Sequence, residues 1–145
     1  YRAMAGLLAG RDVGALRRCV SAGEPLPRST FELWRSLTGI PIIDGIGATE
    51  LLHIFISAAD DDIRPGSTGR VVPGYEACVV DAAGREVPRG TVGRLAVRGP
   101  TGCRYLDDPA RQRAYVQHGW NLTGDSYVQD ADGWFWYQAR TDDLI

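Results

Sequence analysis

The stretch Asp44-Gly45-Ile46-Gly47-Ala48-Thr49-Glu50 decides how the chain reads. The apolar run Ile40-Pro41-Ile42-Ile43 before it has the composition of a buried strand, and a second apolar run, residues 51–56, follows it. Two glycines one residue apart let a backbone turn sharply and lie close to a ligand. Thr49 then offers a hydroxyl that can hydrogen-bond a phosphate oxygen. Glu50 offers a carboxylate, which cannot bind phosphate directly but can hold the Mg²⁺ that neutralises one. The loop therefore has the chemistry of a magnesium–nucleotide site. Gly-x-Gly turns are common, and the same residues also read as a tight loop with a solvated glutamate.

Working outward, residues 16–20 read as a short strand ending in Ser21-Ala22-Gly23-Glu24. Pro25 and Pro27 suit a helix start and Gly39 a helix stop, with Thr30, Leu33, Trp34 and Leu37 on one helical face between them. Strand, helix and strand in succession make one α/β unit, with a parallel strand pair as the default. Both ligand-suited loops then follow the C-terminal ends of strands, where open α/β sheets bind their ligands. After Ser57 the pattern changes. Residues 58–65 form a polar loop in which Asp60-Asp61-Asp62 reads as a solvated acidic turn. Short β segments follow at 71–72, 75–80 and 95–97, with turns at Asp81-Ala82-Ala83-Gly84 and Pro88-Arg89-Gly90. Asp108-Pro109 caps a helix running to about Gln117, and strands are expected at 120–122, 127–128 and 134–137, with a hairpin turn at 129–133. The expected fold is α/β plus β: the end of an open, parallel-sheet α/β subdomain over 1–62, then a small distorted β-barrel subdomain over 63–145.

A chain of 145 residues is long enough for one domain or two small subdomains, with a real core. Its net charge of −2 and lack of a basic block give no reason to expect nucleic acid as a partner. All 16 cationic residues are Arg. That excludes a catalytic lysine within this chain and a phosphate loop ending in Gly-Lys. Cys19, Cys78 and Cys103 lie far apart, form no zinc spacing and suit a reducing compartment. No signal peptide or membrane-spanning stretch is evident, so a cytoplasmic location away from membranes is expected. The chain begins inside an apolar segment without a cap and stops just as another apolar run starts, and so reads as an interior piece of a longer protein.

Six segments, taken in order, resemble the acyl- and aryl-CoA synthetases of the adenylate-forming superfamily. They are Ser21-Ala22-Gly23-Glu24-Pro25; the opening stretch from Asp44 to Glu50; Gly66-Ser67-Thr68-Gly69-Arg70-Val71-Val72-Pro73-Gly74; Gly90-Thr91-Val92-Gly93-Arg94-Leu95-Ala96-Val97-Arg98-Gly99-Pro100; Trp120-Asn121-Leu122-Thr123-Gly124-Asp125; and Phe135-Trp136-Tyr137-Gln138-Ala139-Arg140-Thr141-Asp142-Asp143. The continuation Leu51-Leu52-His53-Ile54-Phe55 and the stretch Gly99-Pro100-Thr101-Gly102-Cys103-Arg104-Tyr105 look most like the benzoate and 2-aminobenzoate CoA ligases.

Such enzymes make an acyl-adenylate from a carboxylic acid and MgATP and transfer the acyl group to the CoA thiol. The resemblance thus implies ATP, Mg²⁺, CoA and a small aromatic acid as partners. It implies that Gly23, Glu24 and Asp44 border the adenine, that Thr49 contacts the phosphates and that Glu50 holds Mg²⁺. Asp125 would take both ribose hydroxyls, Arg140 would reach the ribose, and Asp142 would be a hinge for a following small domain. Ile46, Gly47, Ala48 and His53 would lie near the acid's ring. His53 is not needed as a base, because the reacting acid is already ionised at neutral pH. Two positions depart from the family's usual text: Ile46 stands where most members have Tyr, which implies an aliphatic contact with the adenine in place of a stacked ring, and Ala139 stands where most have Gly. The family's phosphate loop and its carboxylate-polarising lysine would lie upstream and downstream of this chain, which is expected to make no adenylate by itself. Two alternatives stay open: an adenylation domain that loads an aryl acid onto a carrier protein, and a catalytically silent nucleotide-binding module.

Overall fold

The structure, a computed structural model, describes residues 1–141. After a short helix α1 (Arg2–Ala5), the first sheet is built from β1 (Cys19–Ala22), β2 (Ile42–Gly47), β3 (Ile54–Ser57) and β4 (Arg70–Val71), in that order across the sheet. β1 and β2 run parallel, with helix α2 (Arg28–Thr38) crossing between them. The remaining pairs are antiparallel. The expected strand–helix–strand unit is present, with β1 displaced to 19–22 from the anticipated 16–20. α2 starts after Pro27 and stops at Gly39, whose φ of 73° lets its N–H return to the Arg35 carbonyl. It buries Thr30, Phe31 and Trp34, whereas Leu33 and Leu37 are 41% and 51% exposed. The apolar face is thus rotated from the expected one towards Phe31.

The opening stretch is not the loop its glycines announce. Asp44 to Gly47 belong to β2, and the chain turns only afterwards, in a 3-10 turn at Thr49–Leu51 closed by Leu52 at φ 60°. The glycines serve close approach instead. A Cβ on Gly47 would sit 2.6 Å from the His53 carbonyl oxygen, and one on Gly45 would sit 2.9 Å from the Ile54 side chain. Turn and close approach select the same residue type, so the sequence could not separate them.

The second sheet is antiparallel and curls into a half-barrel. It comprises β5 (Glu76–Val80), β6 (Val92–Arg98), β7 (Val116–Gln117), β8 (Trp120–Gln129) and β9 (Phe135–Arg140), with helix α3 (Pro109–Tyr115) leading into β7. β8 is its spine, pairing with β6, β7 and β9. Two expected short strands, 120–122 and 127–128, are therefore one. Gly124, at φ 79°, interrupts the sequence pattern but not the strand. α3 ends at Tyr115 rather than near Gln117, because Val116 and Gln117 pair with β8 instead.

One apolar cluster spans both sheets. Phe55 and Ile56 of β3, with Leu51 of the preceding 3-10 turn, pack with Val79, Leu95, Val97, Tyr127 and Phe135 from the second sheet. The first sheet also continues through β4, past the expected division after residue 62. The joint is at Gly69, which lies at φ 126° and bridges to Phe135 of β9. A Cβ there would lie inside the Ser57 carbonyl group and 2.6 Å from the Ala58 nitrogen, both of them main chain that cannot swing aside. Gly69→Ala is therefore expected to destabilise the protein by about 2–6 kcal/mol, combining overpacking with a left-handed backbone. Gly74→Ala, at φ 94° with open space around it, carries the backbone strain alone. Urea midpoints of the two variants check this, and equal losses would remove the steric contribution.

Candidate active site

β1 and β2 are parallel and in register, Ser21 beside Asp44 and Ala22 beside Gly45, so their C-terminal ends open on one side. Gly23 and Glu24 leave β1 there, and Asp44, Ile46 and Gly47 line the end of β2. Opposite them stand β8 and β9, with Asp125 paired to Arg140 across the ladder. These two walls enclose a cleft of about 330 Å³. Seven of the residues singled out from the sequence thus meet in one place, drawn from segments more than a hundred positions apart: Gly23, Glu24, Asp44, Ile46, Gly47, Asp125 and Arg140.

The two aspartates of the cleft have different surroundings. Asp125 is buried, and its Oδ1 accepts from Arg140 Nη1 at 3.1 Å. Gly124 makes room for this pair, since a Cβ there would come 3.0 Å from Arg140 Nη2. Asp44 Oδ1, by contrast, is buried without a hydrogen-bond partner among the described residues. Burial raises the Asp44 carboxyl to a pKa of about 6, against a partial offset from the Gly45 N–H. Its main-chain carbonyl is held separately, accepting from Ser57 Oγ at 2.7 Å.

Four expected site residues lie outside the cleft lining. Thr49 is exposed on the 3-10 turn that follows β2, and Ala48 packs against the core. His53 is exposed and donates from Nδ1 to the Ile54 carbonyl at 2.7 Å. Glu50 accepts from the Tyr105 hydroxyl at 2.6 Å and stands 4.0 Å from Arg111 Nη2. The Tyr105 hydrogen bond, with smaller help from Arg111 and Arg140, holds the Glu50 carboxyl below the usual range. Thr49 and Glu50 follow Gly47, the last residue of β2 and part of the cleft lining, by two and three positions. Among the described residues no group of three or more His, Cys, Asp or Glu could hold a metal. The 3-10 turn itself carries two side-chain oxygen donors, the Glu50 carboxylate and the Thr49 hydroxyl. Hard oxygen donors of this kind suit Mg²⁺, which commonly takes one or two carboxylates and completes its shell with water and substrate phosphate. Asp142, expected as a hinge, lies outside the described residues.

Five further residues line the cleft without being expected site residues: Pro25, Gly45, Thr68, Tyr127 and Tyr137. Thr68 Oγ1 and the Tyr127 hydroxyl are 3.2 Å apart at the cleft floor, both buried. Had 120–129 been read as one strand, the two-residue period would have put Tyr127 on the face of Asp125.

Asp44 gives a pH dependence with a definite sign. Its folded-state pKa is raised, so the folded chain keeps this proton longer than the unfolded chain. The contribution to stability is full below about pH 4 and is lost as pH rises through about 6. Asp44→Asn abolishes this titration, so between pH 4 and pH 7 the variant should gain roughly 1–3 kcal/mol relative to the parent after allowance for solvent screening. Urea midpoints at the two pH values measure it, and a difference that does not change with pH would contradict the buried carboxyl.

Residues 2–105 match the family model described as AMP-binding enzyme. The chain is similar to the benzoate–CoA ligase of Thauera aromatica, 38% identical over 132 residues that make up 90% of this chain and 25% of that protein. Among solved structures it is similar to the anthranilate CoA ligase AuaEII in complex with anthranoyl-AMP, with a TM-score of 0.89 and 46% identity over 93% of this chain and 26% of that one. A benzoate CoA ligase from Burkholderia xenovorans LB400 matches with a TM-score of 0.85 and 42% identity, over 90% and 27% of the two chains. The chain spans about a quarter of the length of these relatives. With its first sheet, the start of its second and the β1–β2 wall of its cleft inside the matched residues, the chain belongs to the AMP-binding enzyme family.

Proposed function

We propose that the full-length protein carrying this chain is an AMP-forming aryl-CoA ligase. It would join an aromatic monocarboxylate of the benzoate or 2-aminobenzoate type to AMP at the expense of ATP, then pass the acyl group to the thiol of CoA. The observation that carries this reading is the cleft itself: two parallel strand ends face the Asp125–Arg140 pair in a chain 46% identical to a ligase solved with anthranoyl-AMP. Within this reading, residues 1–62 belong to the α/β subdomain and 63–145 to the small barrel-like one, which lends β4 to the first sheet, and Asp142 serves as the hinge.

The chain's own residues would bind and orient. Gly23 and Glu24 border the adenine, and Asp44 Oδ1, without a partner among the described residues, is an acceptor suited to an N–H of its amino group. Asp125 accepts from the ribose hydroxyls with the lone pairs that Arg140 leaves free. Thr49 contacts phosphate, and Glu50 would hold Mg²⁺, which when bound supplies charge neutralisation at the triphosphate. The substrate carboxylate then displaces pyrophosphate from the α-phosphate, and the CoA thiol later displaces AMP from the acyl carbon. Because the chain holds no lysine, polarising the carboxylate is not part of its share.

Ile46, Gly47, Ala48 and His53 would border the acid. An aliphatic wall and small residues leave width for a flat, apolar ring, and His53 offers one polar edge. No Arg or Lys lies between 44 and 53 to neutralise a second carboxylate.

Asp125→Ala is expected to weaken ATP binding by about 1.5–3 kcal/mol, the range for hydrogen bonds to a charged group. Calorimetric titration of the full-length enzyme measures it, and unchanged affinity would make the Asp125–Arg140 pair purely structural. Across a panel of acids, kcat/KM should be highest for the monocarboxylic aryl acids. Acetate would forgo roughly 25 cal/mol for each Å² of apolar ring surface it cannot bury. A tenfold preference for acetate or a long-chain acid, by order of magnitude, would refute the pocket assignment while leaving the family intact.

A further inference from the structure

We propose that Tyr105 is the positioning residue for Glu50, and that the segment entering α3 is a bracket that aims this carboxylate at the rim of the nucleotide cleft. The inference rests on the reading of Glu50 as the residue that holds Mg²⁺. Glu50 sits on a three-residue 3-10 turn, a place with little structure of its own to fix a flexible side chain. Its Oε1 is fixed from a distant part of the chain, by the Tyr105 hydroxyl at 2.6 Å.

Tyr105 is itself held on several sides. Its N–H donates to Gln112 Oε1 at 2.8 Å. The Arg111 guanidinium lies 4.2 Å from the centre of its ring, and Tyr115 meets that ring edge-on at 5.8 Å. Arg111, Gln112 and Tyr115 all belong to α3, whose first turn is capped by the Asp108 side chain accepting from the Arg111 N–H at 2.9 Å. The brace therefore runs from the Asp108 cap through α3 and Tyr105 to Glu50. The hydroxyl of Tyr105 has one proton to donate, and Glu50 Oε1 receives it. With that oxygen fixed, the direction of Oε2 is set as well. A cation that demands near-ideal octahedral geometry gains from a ligand already in place.

The test is calorimetric titration of ATP into the full-length enzyme without acid substrate, once with Mg²⁺ and once with EDTA. The quantity read is the advantage of MgATP over metal-free ATP. In Glu50→Gln this advantage should fall at least about threefold, and Tyr105→Phe should lower it comparably, with metal-free ATP affinity unchanged. The double variant should lose no more than either single one, because both act through one carboxylate. Gln112→Ala, which unpins Tyr105 from α3 while keeping its hydroxyl, should move the advantage in the same direction. It also decides the matter if Tyr105→Phe loses metal-free ATP binding too. A fall in Glu50→Gln with none in Tyr105→Phe would overturn the bracket and leave the metal reading intact. No fall in Glu50→Gln would overturn the metal reading and the bracket with it. A rise in Tyr105→Phe would show that the hydrogen bond restrains Glu50 rather than aims it, and would also overturn the proposal.

Discussion

The passage of the chain at Gly69, between the Ser57 carbonyl and Phe135, holds the two sheets to each other. Thr68 N–H donates to the Phe135 carbonyl at 3.0 Å, and Phe135 N–H donates back to Gly69 O at 2.8 Å. Ser67 Oγ adds a third bond to the same Phe135 carbonyl and accepts from the Gly69 N–H. Such bonds contribute on the order of 1 kcal/mol each, and considerably more is lost when a buried partner is left alone. Their larger effect is geometric. One wall of the cleft belongs to the first sheet and the other to the second, so the close passage at this glycine ties together the two sheets that carry those walls. Thr68, the neighbour of Gly69, forms part of the floor.

The cleft holds two carboxylates whose environments differ in kind. Asp125 has its cation in place, with Arg140 delivered by strand register. Asp44 has burial without full compensation. An unsatisfied buried acceptor is uncommon in folded proteins and calls for an explanation beyond stability. A ligand bearing an N–H would give this oxygen a partner and would be favoured at this point over one presenting an acceptor. Above about pH 6 the carboxyl is ionised and the demand for a donor is greatest.

Much of this is legible in the sequence because the signals are local. Pro27 and Gly39 bracket α2, Asp108-Pro109 starts α3, and the succession of elements implies parallel strands opening on one side. The residues of the cleft are recognisable mainly through their resemblance to family text. What stays hidden is of two sorts. Some glycines carry the wrong message: Gly45 and Gly47 read as a turn but sit in β2, and Gly124 reads as a break but sits in β8. Other features are contacts between residues far apart in the chain. Nothing near Glu50 announces Tyr105, and nothing near Asp44 announces that its Oδ1 is left without a partner among the described residues. Residue-level patterns report on neighbours in the chain, whereas these properties belong to the packed molecule.

The cations beside Asp125 and Glu50, Arg140 and Arg111, are guanidinium groups, as is every other Lys or Arg position here. A lysine in their place would present a primary amine that is partly deprotonated whenever its pKa is lowered, and such an amine attacks activated carboxyl groups. Arginine stays protonated throughout the biological pH range and has no free lone pair to attack with. In the proposed reaction the mixed anhydride would therefore be held, in this part of the molecule, near positive charge that it cannot acylate.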